Sequence, residues 1–114
     1  EDVTKGGLFF FDENFSLNHL VEKPTATQLD ELCAAGRLKA GEIAWYNAGI
    51  YIFNPTLFDH TARLEKSARG EFELTDALTS MLDDDESIAG LEIADRWVDV
   101  RDTKVLQALQ DAAE

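Results

Sequence analysis

The sequence predicts a mixed α/β domain, a sheet flanked by helices. Three observations carry that expectation. Apolar runs of strand length, such as Gly7 to Phe11 and Ile50 to Phe53, alternate with stretches whose apolar residues recur at helical spacing. Helix-start and helix-stop residues fall between them, notably Asn54-Pro55 and Gly36. The composition, 45% hydrophobic and 29% charged over 114 residues, is that of a globular chain rather than a disordered one. At this length the whole chain, 1–114, reads as a single domain that buries roughly two-thirds of its unfolded surface.

The elements follow in order. Gly7 to Phe11 reads as a first strand, and Asp12-Glu13-Asn14 as a turn. Ser16 to Glu22 alternates, with Leu17, His19 and Val21 on one face and Asn18, Leu20 and Glu22 on the other, so the two runs predict a β-hairpin. His19 reads as a strand residue, since no second ligand sits at metal spacing. Pro24 ends the strand. Thr27 then suits a helix N-cap, Leu29, Leu32 and Cys33 share a face, and Gly36 closes the helix. Cys33 is expected in the core.

The stretch from Trp45 to Pro55 organises the rest. Ile50 to Phe53 is a continuous β-prone apolar run, expected as a strand covered on both faces. Asn54 suits an N-cap and Pro55 the first helical position, predicting a helix from Pro55 to about Ser67 with Leu57, Phe58 and Leu64 inward and His60 at the surface. Leu74, Leu78, Met81 and Leu82 mark a further helix with Thr75 as its cap. Asp83 to Glu86 reads as a solvated turn, because it lacks the ligand spacing of a calcium loop. Ile88 to Ile93 and Trp97 to Val100 read as strands, and Asp102 caps a last helix carrying Val105, Leu106 and Leu109.

Charge narrows the function classes. With 10 basic against 23 acidic residues the net charge is -13, which repels nucleic acid and anionic membranes. Such a surface also suits a high-salt, halophilic setting, where screening quiets self-repulsion. No apolar run approaches the ~20 residues that span a bilayer, and the first residues show no basic leader or long apolar segment. A single cysteine, Cys33, excludes an internal disulfide and a multi-cysteine zinc site, so a cytoplasmic setting is expected.

Three polar clusters could carry chemistry. In Val21-Glu22-Lys23-Pro24, a carboxylate able to accept from vicinal hydroxyls stands beside an ammonium able to meet phosphate, although spacing alone favours a surface charge pair of little energetic value. Arg69 to Asp76 is a charged loop running into a helix start. Trp97-Val98-Asp99 places a carboxylate at a strand end, where it either holds Mg²⁺ or precedes the last helix. Before the central run, Asn47 offers donor and acceptor, and Gly49 permits close backbone approach.

Taken together and in register, Glu22-Lys23-Pro24, Asn47 to Phe53, Arg69 to Asp76 and Trp97 to Val100 resemble the carboxy-terminal half of a sugar-1-phosphate nucleotidylyltransferase, of the glucose-1-phosphate thymidylyl- or uridylyltransferase or mannose-1-phosphate guanylyltransferase type. The resemblance runs from about Gly7 to about Leu109. It implies a partial Rossmann-like mixed sheet and transfer of a nucleotidyl group from a nucleoside triphosphate to a sugar 1-phosphate, with Mg²⁺ as cofactor. It implies that Gly7 approaches the sugar, Glu22 binds its hydroxyls, and Lys23 binds its phosphate. By the same resemblance Asn47, Gly49, Glu73, Thr75 and Trp97 line the sugar pocket, Lys23 and Asp99 serve catalysis, and Asp99 holds the metal. The family's glycine-rich nucleotide loop and first metal-binding aspartate have no counterpart in this chain, and Arg101-Asp102 replaces its usual glycine-threonine. The expectation is therefore that the amino-terminal, nucleotide-binding half is missing and this chain alone is inactive. The alternative is a non-catalytic sugar-phosphate-binding or regulatory module. Homo-oligomerisation stays open.

Overall fold

The computed structural model describes residues 5–36 and 44–113. Its architecture is mixed α/β: a three-stranded antiparallel sheet with helices beside it. Strands β1 (Gly7–Phe11), β2 (Leu17–Glu22) and β3 (Trp45–Tyr46) stand in the order β2-β1-β3. The helices are α1 (Ala26–Ala34), α2 (Leu57–Thr61), α3 (Leu74–Asp83) and α4 (Thr103–Ala113). No helix among the described residues is long and apolar enough to cross a membrane.

The expected hairpin forms. Asp12 Oδ1 accepts from the amides of Asn14 and Ser16, both at 2.9 Å, and Phe15 takes a positive φ of 58° to turn the chain. The ring of Phe15 offsets that strained backbone by stacking on Phe11 at 4.4 Å and meeting the edge of Trp45 at 5.1 Å. The alternation read from sequence is corrected at one point. Phe10 faces His19 but Phe11 faces Leu17, so a bulge at Asn18 breaks the period of two. Leu17 and Leu20 thereby both reach the core, which strict alternation would forbid.

The core joins Phe9 and Leu17 of the sheet to Leu78 and Met81 of α3, with Trp45, Tyr51, Phe53 and Ile88 packed around them. Four expectations about burial fail here. Ile50 to Phe53 is no strand: Ile50 is 71% and Ile52 98% exposed, while Tyr51 and Phe53 turn inward and stack at 5.3 Å. No strand lies beside this run among the described residues, so only one of its faces is covered. Consequently Ile52→Lys is expected to change unfolding free energy by less than about 0.5 kcal/mol, as denaturant titration would show. A loss of several kcal/mol would place Ile52 in a core after all. Cys33 is exposed rather than buried, on a helix with no buried residue. Phe58 is 70% exposed, and His60, expected at the surface, is buried in its place at 4%.

Helix boundaries shift for local reasons. Thr25, not Thr27, caps α1 in a reciprocal box: Gln28 N–H donates to Thr25 Oγ1 at 3.2 Å and Thr25 N–H to Gln28 Oε1 at 2.8 Å. Gly36, at φ 72°, closes that helix as expected. Asn54 Oδ1 accepts from Thr56 N–H at 3.0 Å, but the turn at Pro55 delays α2 to Leu57, and α2 ends at Thr61 rather than near Ser67. Thr75 lies inside α3, which Glu73 begins. Asp102 does start α4, accepting from Val105 N–H at 2.9 Å.

The two late strands are absent. Ile88 to Ile93 forms a single bridge, Ser16 with Ala89, and Leu91 is 91% exposed. Gly90 is needed there: a Cβ would stand 2.6 Å from the rings of both Phe11 and Phe15. Trp97 to Val100 likewise has no strand partner among the described residues.

His60 ties α2 to the end of α3. Its Nε2 lies 2.7 Å from Glu86 Oε2, and its Nδ1 lies 2.9 Å from both Ser80 Oγ and an Arg63 guanidinium nitrogen. Arginine only donates, so Nδ1 accepts and Nε2 carries the proton; Glu86 Oε2 lies near that nitrogen without making a hydrogen bond among the described residues. Arg63 also reaches Asp84 at 3.1 Å. The acidic turn read as merely solvated thus supplies two anchors for α2.

Candidate functional site

Sheet register builds the site. Gly7 pairs with Glu22 across β1 and β2, and on its other side the Asn47 N–H donates to Gly7 O at 2.9 Å. Three sheet positions, Glu22, Gly7 and Asn47, therefore stand in one row. The central position has no side chain. A Cβ built there would lie 3.2 Å from the Phe9 ring, 3.3 Å from Glu22 Oε2 and 3.4 Å from Asn47 Cβ. Even a Cβ would crowd all three neighbours, so glycine lets a carboxylate and an amide close in on one another beside an aromatic edge, and Gly7 itself is buried.

Each end of the row is fixed locally. Gly49, with φ 75°, folds back so that its N–H donates to Asn47 Oδ1 at 2.9 Å. Asn47 Nδ2 donates to the Tyr51 hydroxyl. At the other end Lys23 adopts φ 41°, uncommon for a residue with a side chain, and its N–H donates to Gly6 O at 3.1 Å. That left-handed step ends the strand alternation immediately after Glu22, before the buried Pro24. Lys23 is exposed.

Tyr51 was not singled out from the sequence, although it sits inside the central run. Its ring packs on the core and its hydroxyl faces the row. Burial raises the phenol above its ordinary 10.0; the Asn47 hydrogen bond opposes that, and the negative charge of Glu22 adds to the rise. The sign is then settled: between the unfolded and folded values the folded chain holds the extra proton. Stability is full below about pH 10 and is lost as pH rises through the higher folded value. Urea unfolding between about pH 9 and 11 is expected to show this decline. Tyr51→Phe should flatten it.

A cleft of about 440 Å³ adjoins the row at Asn47, lined by Tyr46, Tyr51, Trp97 and the 88–93 segment. Trp97 packs on Tyr46 at 5.6 Å between ring centres and lines the same cleft as Asn47. Of the residues expected in a site, Asn47 and Trp97 line the cleft; Gly7 and Gly49 adjoin Asn47, Glu22 pairs with Gly7, and Lys23 follows Glu22 directly.

Three expected residues belong neither to the row nor to the cleft. Glu73 begins α3, where its Oε1 lies 3.3 Å from an Arg69 guanidinium nitrogen and 3.2 Å from Ser67 Oγ. Thr75, two residues on, is 4% exposed, and its hydroxyl has no partner among the described residues. Asp99 lies 3.5 Å from Arg101 Nε. Among the described residues no three histidine, cysteine, aspartate or glutamate side chains cluster as a metal site.

Comparison with known proteins adds an independent line. The nucleotidyl transferase family model matches residues 1–114. The glucose-1-phosphate thymidylyltransferase of Neisseria gonorrhoeae is 29% identical over 113 residues, covering 99% of this chain and 34% of the relative. The low-salt glycan biosynthesis nucleotidyltransferase of Haloferax volcanii is 40% identical over 63 residues, 54% of this chain and 18% of the relative. A bifunctional sugar-1-phosphate nucleotidylyltransferase/acetyltransferase of Sulfurisphaera tokodaii is 29% identical over 94 residues, 82% of this chain and 20% of the relative. The chain therefore spans about a third or less of the length of these relatives. No solved structure matches it.

Proposed function

The chain belongs to the nucleotidyl transferase family, and from that premise we propose that it carries the sugar 1-phosphate side of a sugar-1-phosphate nucleotidylyltransferase. The observation behind this is the Glu22–Gly7–Asn47 row, with Lys23 beside it. The side-chain-free position at Gly7 lets Glu22 and Asn47 stand close enough to face one ligand. Glu22 accepts hydrogen bonds from sugar hydroxyls. Lys23 supplies a point charge for the phosphate, against the negative field of the whole chain. Asn47, braced by Gly49 and Tyr51, bounds the far side, and Trp97 walls the cleft.

In the proposed reaction an oxygen of the sugar phosphate attacks the α-phosphorus of a nucleoside triphosphate. The new P–O bond forms as the bond to the bridging oxygen breaks, and pyrophosphate leaves. Such a step needs alignment and charge neutralisation rather than a protein nucleophile. The residues here hold and orient the attacking phosphate.

For Mg²⁺ the fit is partial. Asp99 would supply one carboxylate, a donor set magnesium accepts when phosphate oxygens and waters complete it. Arg101 already neutralises part of that carboxylate, so a further ligand has to come from outside the described residues. When bound, the ion would offset charge on the reacting phosphates. Glu73 and Thr75 are proposed to shape the start of α3 beside the site.

We further propose that the groups for the nucleotide are supplied by sequence that the longer relatives carry and this chain does not. The purified chain, given a nucleoside triphosphate, glucose 1-phosphate and Mg²⁺, is then expected to bind the sugar phosphate without releasing pyrophosphate. Steady pyrophosphate release would overturn the division of labour. Failure to bind any sugar 1-phosphate would overturn the site itself.

A further inference from the structure

The stretches that the sequence marks as strands and the fold leaves unpaired share one surface character. Among the described residues, no backbone N–H or C=O of Ile50 to Phe53 pairs with another backbone group, and the same holds from Leu91 to Val100. Ile50, Ile52, Leu91, Ile93 and Val100 stand exposed on them. No charged residue lies between Glu42 and Asp59, in a chain that is 29% charged. A sheet edge that faces water is normally guarded by lysine or proline, and Ile50 to Phe53 has neither. Natural sequences agree locally with their folds. Strand-like runs with unpaired backbone and uncovered isoleucines therefore describe one side of an interface.

We propose that Ile50 to Phe53 and Leu91 to Val100 form a docking face for the rest of the same nucleotidyl transferase domain, which adds a strand along Ile50 to Phe53 and covers its isoleucines. The proposal rests on the reading in which the nucleotide groups lie outside this chain, and it names the surface that receives them. Three observations favour this occupant. The match covers 34% of the Neisseria relative, so most of that protein lies outside it. Ile50, Leu91 and Ile93 also line the cleft that Asn47 and Trp97 line, so an occupant there closes a wall of the cleft beside the sugar row. A second copy would bring its own net charge of -13 to the face, and charge of that size opposes self-association.

The test compares this chain alone with a chimera, the Neisseria gonorrhoeae relative in which the matched part is replaced by residues 1–114. Hydrogen exchange is read by mass spectrometry, with the buried segments around Leu8 and Leu78 reporting in both that the chain itself is folded. Amides of Ile50 to Phe53 and Leu91 to Val100 are expected to exchange freely in the chain alone and at least about 100-fold more slowly in the chimera, as pairing and burial require. Ile52→Lys, neutral to the stability of the chain alone, is expected to lower the melting temperature of the chimera by several degrees, because it buries a charge. Protection in the chain alone that rises with concentration would make a second copy the occupant. Protection there at every concentration would place the partner within the chain. Either result overturns the proposal. So would open amides both in this chimera and in the same chimera built on the Sulfurisphaera tokodaii relative. Titration of the chain with glucose 1-phosphate keeps the two readings apart. Binding, with amides that stay open in both chimeras, leaves the sugar row standing and removes the docking face; closed amides without binding do the reverse.

Discussion

Replacing Glu22 by alanine is expected to weaken binding of glucose 1-phosphate by about 10- to 150-fold, equivalent to the ~1.5–3 kcal/mol that hydrogen bonds to charged groups contribute. The carboxylate occupies one end of a row whose middle is a glycine, so no neighbouring side chain can take over its role. Gly7→Val should reproduce the loss by a different route. Valine suits a strand, but its Cβ would stand 3.3 Å from Glu22 Oε2 and 3.4 Å from Asn47 Cβ, forcing the two apart. Glu71→Ala is the control. That carboxylate is exposed and pairs with Arg69, so its loss should leave affinity unchanged. A loss in Glu71→Ala as large as in Glu22→Ala would deny Glu22 a specific role and contradict the site.

The largest expected stability effect is at His60. Substitution by alanine removes a buried ring that joins Glu86, Ser80 and Arg63. It leaves a void between α2 and α3, and a glutamate whose side chain is only 30% exposed without the ring nitrogen beside it. Breaking a fully buried pair costs about 3–5 kcal/mol; partial exposure of Glu86 lowers the expectation to about 2–3 kcal/mol. For a domain of this size that is a drop of roughly 10 °C or more in melting temperature. His60→Gln, which keeps an N–H near Glu86, should recover part of the loss. A change below about 0.5 kcal/mol in His60→Ala would mean that the network is a surface ornament.

Some of this was legible in the sequence and some was not, for identifiable reasons. The hairpin was readable because Asp12-Glu13-Asn14 separates two short apolar runs, a local signal. The run from Ile50 to Phe53 was misread because hydrophobicity tells that a strand-like segment is apolar, not how many of its faces are covered. Here Tyr51 and Phe53 are covered and Ile50 and Ile52 are not. His60 looked unpartnered because Ser80 and Glu86 lie 20 and more residues away, on α3 and in the acidic turn that follows it. The start of α1 was missed by two residues because Thr25 and Thr27 both suit a cap, and only the reciprocal bond to Gln28 decides between them.

The site divides in the same way. Glu22, Lys23, Asn47 and Gly49 could be named from short motifs and their resemblance to a family. That Glu22 and Asn47 flank Gly7 depends on strand register, which a sequence with a bulge at Asn18 does not reveal. Tyr51 went unremarked because its apolar neighbours made it look like core, and half of it is.

The account is tested most directly by following backbone amides of the chain by NMR during titration with glucose 1-phosphate. The prediction is that Gly7, Lys23, Asn47 and Gly49 shift together along one binding curve, while Cys33 and Leu106 stay still; inorganic phosphate should move Lys23 without Asn47. Shifts centred on the Arg69 to Glu73 loop, or none at saturating sugar phosphate, would contradict it.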